Sequence, residues 1–201
     1  LPRGSSLFSS IGENVMRLAR SSVVALLLAL HALQAAGWEL AGAHKVVLHA
    51  RDRSRVEVGS VQFKPVGDDR YSFTLTMDHR AFADHFLSMR EFKCVSGSGE
   101  ILCHVPYPYP RPDTVTRKDF AWLEHALLFM FKLPNEFGAK LWNGVYFSLQ
   151  LTDAGLAGKP QAIDLNAISA PPARTDVPPY RPALRDDIPP QARWFTRLTI
   201  E

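Results

Sequence analysis

The strongest constraint on the fold is the chain's only pair of cysteines, Cys94 and Cys103, set in KCVSGSGEILCHV. The Ser-Gly-Ser-Gly string between them reads as the tip of a β-hairpin. With Ser98-Gly99 as a two-residue turn, Gly97 and Glu100 form the hydrogen-bonded pair that closes it. Pairs then alternate outward: Ser96/Ile101 non-bonded, Val95/Leu102 bonded, Cys94/Cys103 non-bonded. Side chains of a non-bonded antiparallel pair lie closest, so this register suits a cross-strand disulfide. A zinc site is the poorer reading of two cysteines. The adjacent His104 points to the opposite face of the strand from Cys103, and further ligands would be needed.

A structural disulfide requires an oxidising compartment, and the N-terminal region carries an address for one. Met16 is followed by Arg17 and Arg20, then by the apolar run VVALLLALHALQAA at 23–36. A positive start, a short apolar core and then small residues are the layout of a secretory signal. Ala41-Gly42-Ala43 supplies an A-x-A site, so residues 16–43 are read as a signal peptide cleaved after Ala43. The run falls short of the roughly 20 residues that span a bilayer. The alternative is an uncleaved anchor over 23–43, facing the periplasm from the inner membrane. Residues 1–15 are an extension of unknown role.

The remainder divides into a domain at 44–170 and a proline-rich arm with a terminal apolar segment at 171–201. Hydrophobic residues make up 46% of the chain, enough to fill a core. Alternation marks strands at 56–63, bent near Gly59, at 71–77 and at 145–152. Asp78 is placed to cap a helix at 79–89, with Phe82, His85, Phe86 and Met89 on one stripe. Thr116 and Asp119 resemble a capping box opening a second helix at 117–132, apolar nearly all round and therefore buried. The expected fold is α+β: an antiparallel sheet of about five or more strands, a buried helix packed on one face, a disulfide-linked hairpin and a C-terminal arm.

Composition excludes some functions. From Ala43 onward 20 Lys and Arg face 18 Asp and Glu, interspersed and without a basic stripe. A nucleic-acid partner would demand clustered cations. There is no G-x-S-x-G, H-E-x-x-H, phosphate loop, dinucleotide fingerprint or C-x-x-C-H. His104, His125, Asp119 and Glu124 are the candidates for an acid–base site, but no spacing brings them together, and no cofactor is implied. His85 and Met89, four apart on the expected helix, could offer an imidazole and a thioether to copper or haem iron; packing is the commoner use of that spacing. His44, as the first residue after cleavage, could chelate copper through its terminal amine, with His49 near in sequence.

The Pro-Tyr-Pro-Tyr-Pro-Arg-Pro run at 106–112 is the most unusual element. Proline fixes the backbone and removes donors, so the run must be extended and superficial. Tyr107, Tyr109, Arg111 and, from the arm, Tyr180 are the candidate partner-binding residues. The expectation is a non-catalytic periplasmic or secreted protein that binds a partner or serves an envelope complex. The alternatives are a periplasmic binder of metal or small molecules using histidines, and a membrane-anchored accessory subunit.

Overall fold

Alternating apolar residues and tight turns organise the first third into an antiparallel meander. The computed structural model describes residues 38–87 and 90–201. In it, β1 (Gly42–Ala50), β2 (Arg55–Gly67) and β3 (Arg70–Met77) pair in sequence order. The ladder between β1 and β2 slips beside Val46, which lies opposite Gly59. A Cβ at Gly59 would sit 2.4 Å from the Thr76 carbonyl oxygen, so only glycine lets β3 approach there. Val46, Leu48, Val58, Val61, Phe63 and Phe73 bury their side chains in a single core.

Leu40, just upstream of β1, is wholly buried in that core. Trp38 packs edge-on against Phe63, with ring centroids 6.2 Å apart. Both residues belong to the compact unit Trp38–Glu201.

After β3, the Asp78 carboxylate accepts the Arg80 amide at 3.1 Å, as a cap should. The capped element is only a 3-10 turn, His79–Ala81. It leads into β4 (Ala83–Leu87), which pairs with β5 (Arg90–Ser96). The hairpin of β5 and β6 (Ile101–His104) adopts the register expected from its turn, with Cys94 opposite Cys103 and the disulfide formed. The Gly97 amide closes the turn on the Glu100 carbonyl at 2.7 Å.

The chain then runs through the proline–tyrosine strip to β7 (Thr114–Thr116), the helix α1 (Ala121–Ala126) and β8 (Phe129–Lys132). Next come β9 (Gly144–Thr152) and β10 (Gly155–Ile163), a hairpin. After a long proline-rich stretch, the short β11 (Asp186–Asp187) pairs with β10. The last strand, β12 (Phe195–Ile200), closes the described chain.

All pairings are antiparallel, in the order β4-β5-β6-β8-β9-β10-β12-β1-β2-β3-β7, with β11 beside β10 off this path. The last strand thus lies in the middle of the sheet: Leu198 is opposite Leu48 on one side and Gly158 on the other. β12 joins the N-terminal meander to the strands of the middle of the chain. The terminal apolar segment is a central strand rather than the end of an arm.

The α+β expectation is corrected. Twelve strands and one α-helix of six residues make up the described fold, and no extended helix is laid across the sheet. At 117–132, the Thr116 hydroxyl does accept the Asp119 amide, at 3.0 Å, but the helix starts later and ends at Ala126. Phe129, Met130, Phe131 and Lys132 form β8 between β6 and β9. An all-apolar run has no periodicity to choose helix over strand, and two unsatisfied strand edges decide for strand. At 79–89, β5 needs a partner on its outer side, and 83–87 supplies it. The expected helical stripe is absent, since Phe86 is 72% exposed.

Candidate functional site

The proline–tyrosine strip is held to the body by the amide of Val105, just before it, and by that of Tyr107 within it. The Val105 amide donates to the Leu128 carbonyl at 2.9 Å and the Tyr107 amide to the His125 carbonyl at 3.0 Å. Prolines 106, 108, 110 and 112 fall at outward, exposed positions, where a missing N–H costs nothing. The alternation sends Val105 and Tyr107 inward. Tyr107 lies against Tyr109, Trp122 and His125, with ring centroids 5.5, 6.0 and 5.9 Å away. Its hydroxyl is buried without a hydrogen-bond partner. Arg111 is half-buried; it reaches back to the Tyr107 carbonyl at 3.2 Å and pairs with Asp113 at 3.1 Å.

Tyr180 is also interior. Its hydroxyl donates to the Asp164 carbonyl at 2.9 Å, and its ring stacks on His125, centroids 5.5 Å apart and planes 22° apart. His125 is fully buried. Its Nδ1–H donates to the Ala121 carbonyl at 2.6 Å, and its Nε2 accepts the Tyr180 amide at 3.2 Å. Burial lowers its pKa from 6.5 to about 4, so the ring is neutral at ordinary pH. This histidine clamps helix to arm, and both ring nitrogens are spent.

Glu124 is occupied in the same way. Its carboxyl takes the Tyr146 hydroxyl and, at 2.6 Å, the Leu149 amide. Burial pushes its pKa up, while the Tyr146 hydroxyl, the Leu149 amide and nearby Arg185 act the other way. The Arg185 guanidinium lies 4.4 Å from the Tyr146 ring centre. Asp119 caps the helix at the Ala121 amide, 2.9 Å away. The four residues proposed for acid–base chemistry are therefore structural in three cases.

The fourth, His104, is different. Its Nε2–H donates to the Ala126 carbonyl at 2.9 Å, which leaves Nδ1 as a lone-pair acceptor. Burial lowers its pKa. The ring lines two neighbouring cavities. The larger, about 500 Å³, is a groove with an apolar lining of Phe92, Val105, Pro106, Tyr109, Leu141 and Ile168. Glu91 and Lys93 give it charge. The smaller, about 300 Å³, lies between His104 and β3. The strip is thus one wall of the groove, and Tyr109, half-buried, is its aromatic side chain there. The opposite wall comes from the 3-10 turn Leu165–Ile168 and from Leu141. Beside Leu141, Trp142 is 64% exposed and Phe137 of the same loop 94%.

The metal candidates are dispersed. His85 lies on a strand, where a residue four positions on is not a helical neighbour, and Met89 falls outside the described residues. His44 accepts the Trp38 indole N–H at Nδ1 (2.9 Å) and offers Nε2–H to the Ala41 carbonyl (2.9 Å). His49 bonds Thr199 at 2.8 Å. Among the described residues no three His, Cys, Asp or Glu side chains gather as metal donors.

Sequence reasoning found the strip but missed the groove. Its second wall is made of loop residues whose only signal is isolated apolar character in polar surroundings. Among the described residues no helix is long and apolar enough to cross a membrane. No protein-family profile, curated protein or solved structure matches the chain.

Proposed function

We propose that the protein is an exported, non-catalytic binding protein, periplasmic or secreted, whose groove beside the proline–tyrosine strip receives an apolar segment of a partner in the cell envelope. The observation that carries this reading is the groove itself. Tyr109 and two prolines, Pro106 and Pro108, present a wall whose backbone is fixed before binding, so little conformational entropy is lost on docking. Trp142, next to Leu141 in sequence, and Phe137 are large exposed apolar side chains, in keeping with a partner larger than a small ligand. The disulfide fits an oxidising compartment. Glu124 and His125, the buried ionisable pair on the helix, are consumed by structural hydrogen bonds, which favours binding over catalysis.

The test places a photoreactive residue at position 109 of the exported full-length chain and irradiates intact cells. The expected result is a covalent adduct with a discrete envelope component, lost when Leu141→Arg is added while the thermal midpoint stays near that of the parent. No adduct, or one indifferent to Leu141→Arg, would count against the groove.

A further inference from the structure

Two stretches ahead of His44 have small residues at the positions a signal peptidase reads, three residues and one residue before the cut. Ala41-Gly42-Ala43 is one, and Ala35-Ala36-Gly37 is the other. Read from the sequence, the cut falls after Ala43. The fold separates them.

A cut after Ala43 would remove Leu40, which is 0% exposed and belongs to the core. It would also remove Trp38, whose indole N–H is held by His44 at 2.9 Å and whose ring lies 4.5 Å from the His44 ring and 6.2 Å from Phe63. Gly42 and Ala43 would go too, although they pair with Phe63 and Gln62 as the first residues of β1. Gly42 has φ +81°, a left-handed conformation that suits glycine. That glycine therefore serves the turn into β1 as well as resembling part of a processing motif. The Ala41 carbonyl accepts from His44, so Ala41 is likewise engaged.

A cut after Gly37 removes none of these residues, and the compact unit starts with the next one, Trp38. The sequence upstream fits that position. The apolar stretch, interrupted only by His31, ends at Leu33, and Gln34-Ala35-Ala36-Gly37 forms a short polar-to-small segment before the bond. This is the order of a charged start, an apolar core and a small-residue site.

We propose that the chain is processed at the Gly37–Trp38 peptide bond, giving a mature protein that begins at Trp38. The step is an ordinary amide hydrolysis by a signal peptidase: water adds across the bond, leaving a carboxylate on Gly37 and a free amine on Trp38. The inference rests on the export reading above and refines it. The 38–43 segment belongs to the mature domain, where it seals the open end of β1 over Phe63.

The full-length chain with a C-terminal affinity tag is expressed in an exporting bacterial host and recovered from the periplasm. Intact mass and N-terminal sequencing then read the first residue. The expected first residue is Trp38. Gly37→Leu should reduce processing at least tenfold, since a large side chain sits badly before the cut, whereas Ala43→Leu should leave it unchanged. A mature chain beginning at His44 would overturn the inference and leave export standing. An unprocessed chain retained in the cytoplasm or membrane would overturn the cleaved-export reading itself.

Discussion

His125 offers the clearest handle on the packing beneath the groove. In the folded protein its pKa is lowered to about 4 by burial, against 6.5 for the exposed ring. The unfolded chain therefore binds a proton that the folded one refuses. The stability tied to this histidine is complete above about pH 6.5 and drains away as pH falls toward 4. With those two values the loss between pH 7 and pH 4.5 is roughly 2 kcal/mol. His125→Phe keeps an aromatic ring against Tyr180 but removes the titration. It also strands the Tyr180 amide and the Ala121 carbonyl, so it should cost about 1–3 kcal/mol at pH 7. Urea unfolding of both proteins at pH 7 and pH 4.5 isolates the pH-dependent part. Glu124, whose raised pKa acts in the opposite sense, is present in both chains and cancels to first order. The parent should lose roughly 2 kcal/mol more than His125→Phe on acidification. Equal losses would show that the ring is not buried between helix and arm, and the clamp would be refuted.

Three further outcomes follow from single contacts. Tyr107→Phe removes a buried hydroxyl that has no partner, so it should raise stability by about 1 kcal/mol in urea melts, while Tyr107→Ser should unfold the domain. Opening the Cys94–Cys103 bond with a double Cys→Ala substitution should lower stability by about 2–3 kcal/mol, the chain-entropy value for so short a loop; unreduced peptide mapping should show the linked pair in the parent. Gly155→Ala places a methyl 2.1 Å from the Ile200 carbonyl oxygen at φ +134°, so it should cost at least about 2 kcal/mol by thermal unfolding.

What the sequence makes legible is local. The hairpin register follows from the parity of a two-residue turn, and the pairing of Cys94 with Cys103 confirms each step. The meander of β1 to β3 follows from alternation broken by Gly59 and by the turn at 68–69. The helices misread at 79–89 and 117–132 share one cause. Their apolar spacing is compatible with a helix, but the choice was made by pairing with other strands: the next strand, β5, for 83–87, and the more distant β6 and β9 for 129–132. The central place of β12 has no local signature either. Phe195, Leu198 and Ile200 look apolar enough to dock somewhere, and only the pairing with β1 and β10 says where. At the site, the extended backbone of the strip was legible from its prolines. The inward turn of Tyr107 was not, because the carbonyls that hold Tyr107 and Val105 belong to residues 125 and 128. Tyr109 remains the one strip tyrosine with a face toward the groove.

The strands that contribute Phe92 and His104 to the groove, β5 and β6, lie on one side of β12 and are joined to the meander by that strand alone within the sheet order. Backbone amide hydrogen exchange tests this arrangement directly. The amides of 196–200 should exchange on the timescale of global unfolding, together with those of β1 and β10, although they lie at the very end of the chain. Exchange of 196–200 within seconds to minutes, as for a frayed terminus, would contradict the central strand and the architecture built on it.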